Sequence, residues 1–212
     1  MANKNLTNFL LYSYFGLTED STKEEKILAA VNRAYIDTAS HVLHIPNGNE
    51  AFREKGTGEI IKAIEEYDKS EQTFSKWHET ICNTLTDRKF NVTYGIAQKW
   101  VNMTMKYLWL LDELPEGVKS EDLHIPIDRY IIDALWEYDC IELPIKKGNR
   151  SYLYKNPSDY VAPWSEWNNY KSYNALQEQA KSVIINKFNI SPIEWESKAW
   201  IKVAKKHATQ KD

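Results

Sequence analysis

The residues best suited to chemistry lie between Thr93 and Leu135, where a polar strip runs along an apolar helix. The strip consists of Gln98, Lys99, Asn102 and Lys106. Positions 99, 102 and 106 share one face because helix neighbours lie three and four residues apart. The N-terminal end of a helix carries free N–H groups and partial positive charge, which suits an anion such as phosphate. The spacing therefore predicts a solvated strip that binds anions near the start of this helix.

The carboxylate of Asp128 is the second candidate group, because it directly precedes an apolar-periodic run at 130–138. Pro126 disfavours helix at the residue before it, and Asp is a favoured N-cap residue. We therefore expect Asp128 to open a helix. The polar loop 115–123 must then bring this helix start, with its carboxylate, back toward the first helix.

The element that positions the strip is a long helix predicted from Ala97 to Leu114. This stretch contains no Pro or Gly, and its apolar residues recur at spacings of three and four. A helix this apolar packs on most of its circumference, so we expect it at the centre of the fold. The whole chain has only 7 Gly and 7 Pro, which argues for few tight turns. The sequence therefore predicts an all-α protein.

The same stretch resembles the helix-hairpin-helix DNA glycosylases. Gly95 matches the first glycine of their hairpin, Lys99 their catalytic lysine, and Asp128, in a Pro-Ile-Asp segment, their catalytic aspartate. Lys99 and Asp128 are 29 residues apart, which is closest to the archaeal 8-oxoguanine glycosylase branch. Two positions depart from the pattern, since Tyr94 stands where Pro is usual and Ala97 replaces the second glycine. The stretch is also similar to uncharacterised bacterial proteins.

The resemblance implies a two-lobed helical fold with a cleft. A helix-hairpin-helix would occupy residues 74–114, within a hairpin lobe at 60–140. Residues 1–59 and 141–212 would form the second lobe, so that the whole chain, 1–212, is one helical domain.

The resemblance also implies a DNA N-glycosylase with lyase activity, which acts on a flipped damaged base in double-stranded DNA. Lys99 would be the nucleophile, and Asp128 would stabilise positive charge on the sugar. The DNA-binding residues would be Arg88, Gly95, Ile96, Ala97, Gln98 and Lys106. Stacking residues for the base would come from an aromatic-rich segment, at Trp164, Trp167 and Tyr170. No cofactor is implied.

Composition restricts the other possibilities. The formal net charge is −3, so any nucleic-acid footprint must be a local patch. Cys82 and Cys140 are too few for an iron–sulfur cluster and are expected to be reduced thiols of a cytoplasmic protein. His41 and His44 have no third ligand at metal spacing, so no metal site is expected. No apolar run is long enough to predict a membrane span.

Two other functions remain open at this stage. The chain, with 13% aromatic residues, also fits a non-enzymatic helical interaction protein, in which Lys99 is a surface lysine and Asp128 only a cap. A DNA-binding protein without chemistry is the other alternative. The glycosylase hypothesis requires Lys99 and Asp128 to face one open cleft, whereas the interaction hypothesis permits them to point apart or be covered.

Overall fold

The protein is all-α, as predicted. A computed structural model describes residues 4–39, 49–67, 72–87, 92–140, 154–155, 161–162, 164–168 and 170–209. Its helices are α1 (Lys4–Phe15), α2 (Lys23–Ala39), α3 (Asn49–Tyr67), α4 (Phe74–Leu85), α5 (Tyr94–Leu110), α6 (Arg129–Glu137), α7 (Tyr170–Phe188) and α8 (Pro192–Thr209). Two short antiparallel strands, β1 (Tyr154–Lys155) and β2 (Val161–Ala162), and a 3-10 turn at Trp164–Glu166 precede α7.

Helix α5 occupies the centre of the fold, where it packs mainly against α2 and α4. Buried apolar side chains from α2 through α8 join it in one hydrophobic cluster. Trp100 on α5 is almost fully buried, and its indole N–H donates to the carbonyl oxygen of Val31 at 3.0 Å. A buried indole needs such a partner, so this hydrogen bond fixes α5 against α2.

Helix α3 is continuous through Gly56 and Gly58, although glycine has a low helix propensity. A Cβ atom at Gly56 would lie 2.5 Å from the ring of Trp100, whereas one at Gly58 would meet nothing within 4 Å. Gly56 therefore permits the close approach of α3 to the central tryptophan. Packing against Trp100 compensates for the low helix propensity of glycine at this point.

Helix α5 begins and ends earlier than predicted. Thr93 is its N-cap, since the threonine side chain accepts the N–H of Ile96. Residues Gly95 and Ala97 consequently lie in the first turn of a helix rather than in a hairpin loop. Helices α4 and α5 match the two helices predicted within 74–114; the predicted hairpin between them falls partly on residues 88–91, outside the described residues. The division into two lobes stays a prediction.

Helix α6 is short and amphipathic, and α8 covers its apolar face. Its buried residues are Ile131, Ile132, Ala134 and Leu135. As predicted, Asp128 is its N-cap, with an extended backbone (φ −139°) and a side chain that accepts the N–H of Ile131. The contact between α6 and α8 determines which α8 residues lie near Asp128.

Candidate functional site

Lys99 and Asp128 lie side by side, although they come from different elements. Lys99 is in the second turn of α5, and its Nζ is 3.4 Å from Oδ2 of Asp128. The other carboxylate oxygen, Oδ1, accepts the N–H of Ile131 at 3.0 Å. One oxygen thus fixes the start of α6 while the other faces the amine. The Lys99 side chain is 3% exposed and that of Asp128 17% exposed, so the pair is largely shielded from bulk water.

The pair opens into a pocket of about 190 Å³. The lining residues are Lys99, Asp128, Arg129, Tyr130, Trp164 and Trp200. Three of these side chains are aromatic, two are cationic and one is a carboxylate. The lining therefore combines flat apolar surfaces with an excess of one positive charge, which favours a ligand with a ring and an anionic group.

Trp164 reaches the pocket because its 3-10 turn packs on the first turn of α5. The N–H of Gly95 donates to the carbonyl oxygen of Trp167 at 2.8 Å. A Cβ atom at Gly95 would lie 1.8 Å from the carbonyl oxygen of Trp164, so the two backbones can approach only at a glycine. The Trp164 ring then lies 4.9 Å from Nζ of Lys99, within the range of a cation–π interaction.

The backbone amides predicted to bind phosphate have partners within the protein. The N–H of Gly95 donates to Trp167, that of Ile96 to the hydroxyl of Thr93, and that of Ala97 to the carbonyl oxygen of Thr93. These three donors are therefore occupied in this structure, which contradicts the use of this helix end as an open phosphate site. The predicted contact at Arg88 lies outside the described residues.

The polar strip of α5 is buried rather than solvated. Gln98 is fully buried, and its amide group bonds backbone atoms within the protein. Nζ of Lys106 lies 2.5 Å from Oε2 of Glu196 on α8, so its ammonium group already has a carboxylate partner. Other parts of the chain cover this face, so Gln98 and Lys106 do not form the solvated strip that the sequence predicts, and their role as DNA-binding residues stays a prediction.

Comparison with known proteins gives no assignment. No protein-family model, curated protein or solved structure matches this chain. The resemblance to helix-hairpin-helix DNA glycosylases stays a prediction, and the site has to be interpreted from its own geometry.

The described part of the chain contains no candidate metal site and no candidate membrane-spanning helix. Within it, no three His, Cys, Asp or Glu residues are grouped so that they could hold a metal ion. His41 and His44 lie outside the described residues. None of the described helices is long and apolar enough to cross a membrane. Cys82 and Cys140 are both free and buried.

Side-chain amides supply the backbone hydrogen bonds of the segment that leads to Asp128. Gln177 bonds both backbone groups of Ile125, at 3.1 Å to its N–H and 2.8 Å to its carbonyl oxygen. Gln98 likewise donates to the carbonyl oxygen of Ile127 at 3.1 Å. Pro126, between them, has no N–H to satisfy. Because buried backbone groups need partners, these amides hold the segment in place and so position Asp128 relative to Lys99.

A buried polar cluster lies beside this segment. The hydroxyl of Tyr173 is 2.8 Å from Nδ2 of Asn102, 3.0 Å from Nδ1 of His124 and 3.4 Å from Nε2 of His78. The two imidazole rings are 4.4 Å apart. Burial lowers the pKa of His78 to about 3, and burial together with the neighbouring His78 lowers the pKa of His124 well below its usual value. Both rings are therefore neutral at pH 7.

This cluster makes stability depend on pH. His78 has an ordinary pKa of 6.5 when unfolded and about 3 when folded, so below pH 6.5 the unfolded chain binds a proton that the folded protein does not. We expect the free energy of unfolding to fall by about 1.4 kcal/mol per pH unit for this residue as the pH drops below that value. Urea unfolding of the unmodified protein and of His78→Phe at about pH 7 and pH 5 measures this slope. The variant should have the smaller slope, and equal slopes would contradict the assignment.

Of the three residues predicted to hold a base, only Trp164 lines the pocket. Trp167 is buried, and the ring of Tyr170 packs 5.7 Å from that of Tyr94. Trp167 and Tyr170 therefore pack against the start of α5 and do not line the pocket. The aromatic-rich segment is divided into the 3-10 turn and α7, and this break separates Trp164 from the other two.

Trp200, Arg129 and Tyr130 line the pocket although the sequence does not predict them as site residues. Trp200 is 37% exposed, and its Nε1 donates to Oδ2 of Asp128 at 3.4 Å. Trp195, five residues earlier, is the buried one. Five residues correspond to about 140° around a helix, so the two rings cannot share a face. The spacing shows that the two tryptophans lie on different faces of α8, and the structure shows that the face of Trp195 is the buried one.

Proposed function

We propose that this protein is a DNA N-glycosylase with associated lyase activity. The observation that carries the proposal is the 3.4 Å separation between Nζ of Lys99 and Oδ2 of Asp128 in a pocket with aromatic walls. The glycosylase hypothesis requires these two side chains to face one open pocket, whereas a surface lysine and a simple cap need not meet.

The proposed reaction begins with a nucleotide turned out of the duplex, so that its C1′ becomes accessible. Lys99 gives a proton to Asp128, and its neutral nitrogen attacks C1′. The bond from nitrogen to C1′ forms as the glycosidic bond breaks. The base leaves with the bonding electron pair and takes the proton from Asp128, which becomes a carboxylate again beside the positively charged sugar. The secondary ammonium nitrogen then passes one of its protons to O4′ as the C1′–O4′ bond breaks, which leaves a protonated Schiff base between Lys99 and C1′.

Asp128 suits the second role in this scheme, the stabilisation of positive charge on the sugar. Its carboxylate is held by the N–H of Ile131 and the indole N–H of Trp200, so little reorganisation is needed as charge develops. Preorganised groups in a site with little water stabilise a transition state more strongly than mobile ones do. The side chain therefore combines a structural role as N-cap with an electrostatic one.

Borohydride trapping tests the proposed reaction. The protein is incubated with duplex DNA that carries an oxidised base, a deaminated base or an abasic site, and borohydride then reduces any Schiff base to a stable amine. A covalent protein–DNA adduct is the expected result. The absence of an adduct with every one of these substrates would contradict the proposal.

Trp200 is expected to contribute to binding of the turned-out nucleotide by stacking. Stacking of a base on an aromatic side chain is worth about 1–3 kcal/mol, so Trp200→Ala should weaken binding roughly 5- to 150-fold. Fluorescence anisotropy with a duplex that contains an oxidised base on a 2′-fluoro sugar, whose glycosidic bond resists cleavage, measures this change. Trp136→Ala is the matched control, because Trp136 is 38% exposed but does not line the pocket. Equal weakening in both variants would argue against a specific role.

A non-enzymatic interaction protein is the second candidate, and helix α1 favours it. None of the residues in Lys4–Phe15 is buried, and Leu6, Phe9 and Leu10 are 55%, 65% and 57% exposed. Their spacing of three and four residues places them on one side of the helix. Exposed apolar stripes of this kind are typical of contact surfaces. An interaction role alone predicts no trapped adduct, so the same experiment separates the two functions.

A further inference from the structure

The cations close to the proposed site differ in whether their charge is already balanced. Lys99 is paired with Asp128, and Lys106 is paired with a buried carboxylate of α8. Arg129, which also lines the pocket, is exposed, and within the described part of the chain its guanidinium group forms no ion pair. Its Cζ lies 5.1 Å from the centroid of the Tyr130 ring, which carries no charge. A positive charge at the edge of the pocket is therefore available to a ligand.

Arg129 occupies a position in α6 that does not favour a cation. It is the first residue of the helix and directly follows the N-cap Asp128. The partial positive charge at this end of a helix stabilises anions and opposes cations, and the first turn of α6 contains no acidic residue. The carboxylate of the N-cap is already bonded to Ile131, Lys99 and Trp200. A bound anion would remove this electrostatic conflict between the arginine and its helix.

Arg129 is also adjacent to the residue that faces the sugar in the proposed reaction. Consecutive Cα atoms are about 3.8 Å apart, and Asp128 and Arg129 line the same pocket. With the Asp128 carboxylate beside C1′, the phosphate groups attached to the same sugar are only a few bonds away. A guanidinium group has several N–H donors in one plane, which match the oxygen atoms of a phosphate. The anion that best fits this position is therefore a phosphate of the bound DNA.

We propose that Arg129 binds a phosphate group next to the turned-out nucleotide, so that the DNA backbone crosses the start of α6. The inference rests on the proposed function, because it takes DNA as the ligand and Asp128 as the group beside C1′. This contact takes the place of the phosphate site predicted at the start of α5, where the amides of Gly95, Ile96 and Ala97 bond the protein itself. Phosphate contacts position DNA without reading its sequence, so Arg129 should affect every substrate alike.

The first experiment measures the salt dependence of DNA binding in Arg129→Met. The probe is the duplex with an oxidised base on a 2′-fluoro sugar, and fluorescence anisotropy gives the affinity. Each phosphate contact contributes about 0.9 to the slope of the logarithm of affinity against the logarithm of salt concentration. Loss of one contact should therefore reduce the magnitude of the slope by about 0.9 and weaken binding about tenfold.

Lys198→Met is the matched control for this experiment. Lys198 is an exposed cation on α8 outside the pocket, so the two variants have the same net charge. The control should have the slope of the unmodified protein, because it loses charge but no phosphate contact. Urea unfolding should show that both variants are folded, since each removed side chain is exposed. An unchanged slope in Arg129→Met, or an equal reduction in the control, would overturn the inference.

The second experiment identifies the phosphate group. The phosphates on either side of the target nucleotide are replaced, one at a time, by an uncharged methylphosphonate. At the contacted position this change should weaken binding of the unmodified protein about tenfold but leave binding of Arg129→Met unchanged, because both changes remove the same interaction. Independent, additive losses at both positions would show that Arg129 contacts another part of the DNA, such as the base, and would overturn the inference.

These binding measurements separate failure of the inference from failure of the proposed function. Neither experiment requires a reaction, because the glycosidic bond of the probe resists cleavage. If the unmodified protein forms no adduct with borohydride, the proposed reaction fails, and the affinities still decide whether Arg129 binds a phosphate. If the unmodified protein does not bind the duplex, the inference fails as well.

Discussion

Replacement of Lys99 by Gln should abolish the trapped protein–DNA adduct. The Schiff base requires a primary amine, and Nζ of Lys99 is the amine that lies 3.4 Å from Asp128 in the pocket. An amide nitrogen cannot form this bond, so the loss should be complete rather than partial. Gel electrophoresis of the borohydride-treated reaction, with denatured protein and labelled DNA, measures the adduct directly.

The control for this experiment is a second lysine-to-glutamine variant. Lys198 is an exposed residue on α8 and does not line the pocket, so Lys198→Gln should form the adduct as the unmodified protein does. Urea unfolding should show that Lys99→Gln is folded, because the N-cap hydrogen bond from Ile131 to Asp128 does not involve the lysine. An adduct of unchanged yield in Lys99→Gln would assign the chemistry to another amine and refute the proposed site.

Replacement of Gly95 by Ala should destabilise the protein by about 3 kcal/mol, a large effect for the addition of one methyl group. The new Cβ would lie 1.8 Å from the carbonyl oxygen of Trp164 and 2.9 Å from its carbonyl carbon. Both are backbone atoms, so the 3-10 turn must move away from α5. This movement should also displace the Trp164 ring from the pocket. Urea unfolding measures the loss of stability.

Gly58→Ala is the matched control for Gly95→Ala. Gly58 also lies in a helix, but a Cβ atom there meets nothing within 4 Å. Alanine is the better helix former, so this variant should gain about 0.5–1 kcal/mol. Opposite signs at the two glycines would show that contact with Trp164, and not helix propensity, decides the effect at Gly95. A neutral Gly95→Ala would contradict the close approach of the two backbones.

Interactions that span only a few residues could be predicted from the sequence. The N-cap at Asp128 depends on a hydrogen bond to a residue three positions later, and the preceding proline indicates the same helix start. Helix α5 follows from apolar residues at spacings of three and four, although its bounds move from 97–114 to Tyr94–Leu110. The sequence also led to Lys99 and Asp128, but the structure was needed to bring their side chains together.

Only the tertiary structure determined which part of the chain packs against each face of helix α5. The polar strip of α5 predicts a solvated surface, because periodicity describes one helix and not its partner. Its actual partners are far along the chain: Asn102 bonds Ile125, 23 residues away, and Lys106 bonds Glu196, 90 residues away. These segments supply carbonyl oxygens and a carboxylate, so polar side chains can be buried without loss of hydrogen bonds. The same long-range packing separates Trp164 and Trp200, which line the pocket, from tryptophans of the core that the sequence does not distinguish from them.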